Sequence, residues 1–124
     1  MYCYVSLGSN ARCRYLLLRQ ALKLLADSPM LKLSDVSSFT PSLALNPAHP
    51  PYINAVARLE VSEGIELQSV VETLKAVEQR LLRHHGSSGI VAIDLDLVVW
   101  DGKVVREGDF NRPYFARGYN ELTR

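Results

Sequence analysis

Asp94 and Asp96 stand two residues apart in a segment, 90–100, that is otherwise apolar. Because side chains alternate along a strand, both carboxylates would leave one face, roughly 6–7 Å apart at Cα. Two such charges beside Ile, Val and Leu are costly to bury unless they are paired or bind a metal. The spacing therefore predicts a divalent-metal site, for which magnesium completed by phosphate oxygens and water is the natural occupant. The alternative is an edge strand whose aspartates face water.

Basic side chains flank this segment and are candidates for binding phosphate. Arg80 and Arg83 precede it, and Arg112 and Arg117 follow it. Phosphate oxygens require such donors, and arginine can bind them in bidentate fashion. The alternative for Arg80 and Arg83 is a solvated helix end. The sequence has neither a Walker-type nor a dinucleotide-type glycine loop, so a metal and arginines would have to hold any nucleotide.

Tyr52 and Asn54 lie on one face of an alternating segment that follows a proline-rich loop. An aromatic surface beside an amide that both donates and accepts suits a planar heterocycle, held by stacking and by complementary hydrogen bonds. The alternative is a tyrosine packed on the sheet and an asparagine that caps a turn.

Hydrophobic periodicity gives the elements that would position these residues. Strands are predicted at 2–7, 31–39, 52–61 and 90–100, and helices at 15–26 and from 67 to a stop near Gly86. This β-α-β-β-α-β order predicts an α+β fold, the ferredoxin-like βαββαβ sandwich. The Asp101-Gly102 pair predicts a tight turn into a short strand at 103–105, which adds a C-terminal hairpin. The last fifteen residues are predicted to be irregular.

Composition limits the classes of protein to which the chain can belong. With 124 residues and 48% hydrophobic content, we expect one domain covering residues 1–124. A net charge of +1 argues against a dedicated nucleic-acid binder. No apolar run approaches the roughly 18 residues of a membrane span, and the first residues lack the pattern of a signal peptide. We expect a soluble, cytoplasmic monomer that binds neither nucleic acid nor membrane.

Several segments taken together resemble the 6-hydroxymethyl-7,8-dihydropterin pyrophosphokinase family of folate biosynthesis. The matching stretches are residues 5–10, 36–39, 51–55, 93–97 and 117–119. They occur in the family's order and span almost the whole chain. The D-L-D strand and the Tyr-x-Asn pair are the distinctive ones, and the ordered set is hard to obtain by chance.

The resemblance implies a substrate site for a hydroxymethyl dihydropterin. Tyr52 and Tyr119 would sandwich the pterin ring, and Asn54 would form hydrogen bonds with its edge. Ser42 and Leu45 would contribute backbone contacts from the proline-rich loop.

The resemblance also implies the reaction, which is transfer of diphosphate from ATP to the hydroxymethyl oxygen with release of AMP. Asp94 and Asp96 would bind two magnesium ions that bridge the ATP phosphates and the hydroxymethyl group. Arg83 and Arg117 would bind ATP, and Arg83 would join the two aspartates as a catalytic residue. Arg112, which follows the aspartate segment, is a third candidate for binding ATP because of its position in the sequence.

The sequence departs from the family pattern in the part expected to hold ATP. Val91 stands where the family has an arginine on the triphosphate, and Tyr114-Phe115 stands where the family has His-Tyr. These departures favour an alternative, a catalytically weakened or inactive paralogue that binds a pterin-like ligand. A third reading, a ferredoxin-like interaction or nucleic-acid module, has only the fold in its favour.

Overall fold

The computed structural model describes residues 1–82 and 89–124 as a mixed α/β fold built around an antiparallel sheet. Its strands are β1 (Tyr2–Ser9), β2 (Leu31–Val36), β3 (Thr40–Ser42), β4 (Tyr52–Val61), β5 (Asp94–Trp100) and β6 (Lys103–Val104). Its helices are α1 (Arg14–Ala26), α2 (Leu67–Leu82), the short α3 (Glu107–Phe110) and α4 (Pro113–Thr123). No helix in the described ranges is long and apolar enough to cross a membrane.

The sheet has the strand order β2-β4-β1-β5-β6, and β3 pairs with the beginning of β4. Strand β1 is central because it pairs along nearly its whole length with β4 on one side and with β5 on the other. Strands β2 and β3 share the outer edge of β4, since β2 opposes its second half and β3 its first three residues. The sheet thus brings the start of β4 and the start of β5 to the end of β1.

One face of the sheet is covered by α1 and α2. The alternating residues Val5 and Leu7 of β1 pack there with Leu18 of α1 and Leu74 of α2, all of them buried. Fully burying one such side chain stabilises the fold by about 1.5–3 kcal/mol. This face of the sheet holds the larger of the two cores.

The opposite face is partly covered by α4. Phe115 of this helix is fully buried and packs in a second, smaller cluster with Val56 and Val98. Gly118 allows the close approach, because a Cβ at this position would lie 2.5 Å from Val56 Cγ2 and 3.0 Å from Ser37 Oγ. Helix α4 therefore covers one part of this face and leaves the part near Asp94 open.

The structure confirms the predicted strand at 52–61 and changes other boundaries. Strand β2 ends at Val36 and β5 begins at Asp94, so both are shorter than predicted. The proline-rich loop contains the short strand β3, because Pro41 takes its place at an edge where its missing N–H is not needed.

The prediction that the last fifteen residues are irregular was wrong, because α4 occupies most of them. Pro113 stands at the first helical position, where its fixed φ favours a helix start. Phe115, Tyr119 and Leu122 follow at i, i+4 and i+7, which places them on one face of the helix.

Candidate active site

The two aspartates lie on the sheet face that α4 leaves open. Asp94 is opposite Gly8 and Asp96 is opposite Ser6, and Gly8 is also opposite Asn54 of β4. Directly opposed residues of neighbouring strands project to the same side of a sheet. The register therefore groups Asn54 with both carboxylates. Gly8 lies between Asn54 and Asp94 and has no side chain, so the floor of the site is flat there.

A cavity of about 450 Å³ opens over this floor. The residues predicted from the sequence that line it are Ser42, Leu45, Tyr52, Asn54, Asp94, Asp96 and Arg112. They come from β3, β4 and β5, from the loop between β3 and β4, and, for Arg112, from the connection between α3 and α4. The cavity thus brings together residues that lie as far apart in the sequence as Ser42 and Arg112.

Asn54 closes one side of this cavity and is almost fully buried, with 4% exposure. Its Nδ2 donates to the Thr40 carbonyl oxygen at 2.9 Å and to Ser42 Oγ at 2.8 Å. Both amide hydrogens are therefore used to hold β3 against β4, and Oδ1 is the atom of this side chain left to accept a hydrogen bond from a ligand.

Asn10 holds the connections around the site together. Its Nδ2 donates to the carbonyl oxygens of Pro50 and Gly89, and its Oδ1 accepts from the Val91 amide at 2.6 Å. The connection before β4 and the connection before β5 are thereby tied to the end of β1. Val91 takes part through its backbone, and its side chain brings no charge to the site.

The two carboxylates are poorly compensated in the protein alone. Burial and the charge of Asp94 raise the pKa of Asp96 to about 7. Burial and the charge of Glu78 raise the pKa of Asp94, and burial raises the pKa of Glu78. Within the described residues no three His, Cys, Asp or Glu side chains are placed to hold a metal. Hard oxygen donors that repel one another nevertheless fit magnesium, which commonly takes one or two carboxylates plus phosphates.

Glu78 of α2 lies against the free edge of β5. Its Oε2 accepts a hydrogen bond from the Leu95 amide at 2.8 Å, where β6 does not extend far enough to pair. The carboxylate thus completes the strand edge at the residue between the two aspartates.

A second cavity, of about 310 Å³, lies between α2, β5 and the segment after β6. Its apolar wall includes Leu67, Val71, Leu74, Leu97 and Val105. Its polar lining is Lys75, Glu78, Asp94, Asp96 and Arg106. The two aspartates line both cavities, so the carboxylate pair forms a shared wall between them.

The structure does not bring Tyr119 to the first cavity, among the residues it describes. Its ring packs edge-on against Tyr4, with centroids 4.8 Å apart, and stacks on Phe115 at 5.7 Å. The expected sandwich with Tyr52 is therefore absent from this conformation, because the periodicity of α4 turns Tyr119 toward the buried cluster. Tyr114 lines the first cavity instead.

The predicted arginines Arg112 and Arg117 do not line the same set of cavities. Arg112 lines the first cavity and a third cavity of about 520 Å³, whereas Arg117 lines only the third among the cavities described. Neither is part of the second cavity's described lining. Arg83 lies outside the described residues.

Sequence reasoning missed Lys75, Glu78 and Arg106. Glu78 lies 17 residues from the amide that it binds, and Arg106 lies two residues after the end of β6. No local pattern marks either residue, because each reaches the site through the packing of its element against β5.

The fold and the site define a mixed α/β protein whose aspartate pair suits a divalent metal and phosphate chemistry. The family model for 7,8-dihydro-6-hydroxymethylpterin-pyrophosphokinase matches residues 4–123. This is nearly the whole chain, and the chain belongs to this family.

Proposed function

We propose that this protein transfers diphosphate from ATP to the hydroxymethyl oxygen of a dihydropterin and releases AMP, as a step of folate biosynthesis. The single observation that carries the proposal is that Asp94 and Asp96 line two cavities at once. A group-transfer enzyme needs two substrates to meet at one charged point, and the shared wall supplies that point.

The first cavity is proposed to hold the pterin. Tyr52 offers a stacking surface, Asn54 Oδ1 can accept from a ring N–H, and Ser42 borders the same space. Tyr114 also lines this cavity, so we assign it, rather than Tyr119, as the second aromatic contact. The hydroxymethyl group then points toward the aspartates.

The second cavity is proposed to hold ATP. Leu67, Val71 and Leu74 give an apolar wall for the base, and Lys75 is a cation beside it. The phosphates would extend to the aspartate pair, where they meet the first cavity. Arg112 lines the first cavity, which shares the aspartate pair with the second.

The aspartates are proposed to hold two magnesium ions with ATP. Bound magnesium would neutralise phosphate charge as the diphosphate moves. The hydroxymethyl oxygen would attack the β-phosphorus, the bond from that phosphorus to the α-bridging oxygen would break, and the hydroxyl proton would pass to water. Asp94 and Asp96 extend from one face of β5, and from there they would orient both reactants. The strand order supports assigning this site to a ferredoxin-like sandwich.

AMP formation from ATP and hydroxymethyl dihydropterin in the presence of magnesium tests the proposal. We expect Asp94→Asn and Asp96→Asn to lower the rate by at least about a hundredfold, since both remove a metal ligand and keep the side-chain shape. Asp101→Asn is the matched control, because Asp101 is exposed in the turn between β5 and β6. Turnover that survives in both site variants would refute the metal assignment.

The second candidate is a paralogue that binds a pterin-like ligand without transferring diphosphate. The neutral side chain of Val91 and the position of Arg117 away from both proposed substrate cavities favour it. Pterin binding by calorimetry without AMP above background would establish this candidate and exclude the enzyme.

A further inference from the structure

Arg106 is held at the aspartate pair by its backbone on both sides. The amide of the preceding residue, Val105, donates to the Val98 carbonyl oxygen of β5 at 2.8 Å. The Arg106 carbonyl oxygen accepts from the Phe110 amide at 2.9 Å as α3 begins. The hairpin and the short helix therefore fix the point from which the side chain extends.

The guanidinium of Arg106 divides its contacts between two carboxylates. Its Nε donates to Asp109 Oδ2, and its Nη2 lies 3.7 Å from Asp96 Oδ1. The first contact is a direct hydrogen bond, whereas the second is too long for one. The side chain is 54% exposed. Asp109 therefore anchors the guanidinium through Nε, and the Nη atoms of Arg106 are free to donate hydrogen bonds into the second cavity.

The carboxylates that line the second cavity would repel a polyphosphate. A polyphosphate that enters therefore needs a cation near the aspartates. Glu78, Asp94 and Asp96 all contribute carboxylates to its lining. Among the described residues the basic side chains in that lining are Lys75 and Arg106. Arg106 is the one within ion-pair distance of an aspartate, so it is placed where phosphate and carboxylate must meet.

We propose that Arg106 binds the triphosphate at the aspartate pair, exchanging its contact with Asp96 for phosphate oxygens when that carboxylate takes a metal. Asp109 is the positioning residue that keeps the guanidinium in place during the exchange. This inference rests on the proposed ATP site and adds to it a phosphate ligand on the segment between β6 and α3. Arg106 would thus have an anionic partner both without nucleotide, where it contacts Asp96, and with nucleotide, where it contacts phosphate.

The test compares Arg106→Gln, Arg106→Lys and Arg19→Gln, the last being an arginine exposed on α1 and outside the described cavities. Calorimetry measures the Kd of α,β-methylene-ATP with magnesium, and separately of magnesium alone. We expect Arg106→Gln to raise the nucleotide Kd about 10- to 100-fold, the loss of a charge-assisted contact. Arg106→Lys should recover part of it, and Arg19→Gln should stay within about twofold.

The Kd of magnesium alone distinguishes a phosphate-binding role of Arg106 from a purely structural role. Without Arg106 the aspartates lose a competing cation, so we expect the Kd of magnesium alone to be unchanged or lower. Asp109→Asn should raise the nucleotide Kd less than Arg106→Gln. Weakening of magnesium and nucleotide to the same degree would show that Arg106 only supports the fold, and would overturn the inference.

The outcomes also distinguish this inference from the proposed function. Nucleotide binding that is equal in Arg106→Gln and Arg19→Gln refutes the role of Arg106 and leaves the pyrophosphokinase proposal standing if AMP forms. Loss of nucleotide binding in Arg106→Gln without AMP formation by the unaltered protein supports the phosphate site and refutes the transfer. An unaltered protein that binds no nucleotide refutes both.

Discussion

At the scale of single residues, charge on the aspartate pair couples the site to the stability of the fold. Burial and Asp94 raise the pKa of Asp96 from its ordinary value of 3.8 to about 7 in the folded, metal-free protein. The folded state then binds more protons than the unfolded chain between these two values. Stability is therefore lost as the pH rises from about 4 to about 7, and the penalty is complete above that range.

We predict that Asp96→Asn makes the metal-free protein more stable at pH 8. The raised pKa of Asp96 alone would allow a larger gain in the free energy of unfolding. The Asp96 side chain is 24% exposed, however, and the variant loses the contact with Arg106, so we expect a gain of about 1–2 kcal/mol. Urea denaturation in EDTA between pH 5 and pH 8 measures it. The gain should shrink as the pH falls, and an equal gain at pH 5 would contradict the electrostatic cause.

Asn54 illustrates how one side chain serves both the fold and the site. Its two hydrogen bonds to Thr40 and Ser42 hold the short strand β3 in place. We predict that Asn54→Ala lowers the free energy of unfolding by about 1–3 kcal/mol, because two acceptors lose their donor. Ser42→Ala removes one of those bonds and should cost less. Chemical denaturation of both variants checks the order, and a larger loss in Ser42→Ala would refute it.

At the scale of elements, the contact of α4 with the sheet depends on Gly118. Its backbone lies so close to β4 that an added Cβ would meet Val56 Cγ2 at 2.5 Å. The helix cannot shift without moving Phe115, which fills the small cluster beneath it. Helix α4 and its neighbours Arg112 and Tyr114 are therefore positioned by this contact.

We predict that Gly118→Ala lowers the free energy of unfolding by about 1–3 kcal/mol through overpacking, even though alanine favours a helix. Gly108→Ala in α3 is the matched control, since nothing lies within 4 Å of a Cβ there. Thermal denaturation of both variants gives the comparison. If Gly118→Ala is as stable as Gly108→Ala, α4 does not pack as described.

At the scale of the whole molecule, two cavities meet at one pair of carboxylates. This arrangement separates recognition of each proposed substrate from the point of reaction. Tyr52 lines only the first cavity, and Lys75 lines only the second, among the cavities described. Changes at these two positions should therefore act on different ligands.

We predict that Tyr52→Ala raises the Kd of a hydroxymethyl dihydropterin by about tenfold, through lost stacking and burial, and leaves the Kd of magnesium-ATP within about twofold. Lys75→Gln should produce the reverse pattern. Calorimetry with each ligand alone measures both. Equal weakening of both ligands by either change would show that the cavities are not separate binding sites.

The sequence by itself determined that Asp94 and Asp96 leave one face of a strand, because a period of two is a local property of the chain. Alternation along a strand likewise predicted that Tyr52 and Asn54 share one face, and hydrophobic spacing predicted most of the elements. Even α4 carried its signal in Phe115, Tyr119 and Leu122, which the count of polar residues around them obscured.

Only the tertiary structure decided what surrounds the aspartates. It placed Glu78 and Arg106 beside them and Tyr114 rather than Tyr119 in the first cavity. These positions depend on the register of β1 with its neighbours and on the direction in which α2, α3 and α4 pack. Such long-range geometry has no local pattern in the sequence, because it arises from the packing of segments far apart in the chain.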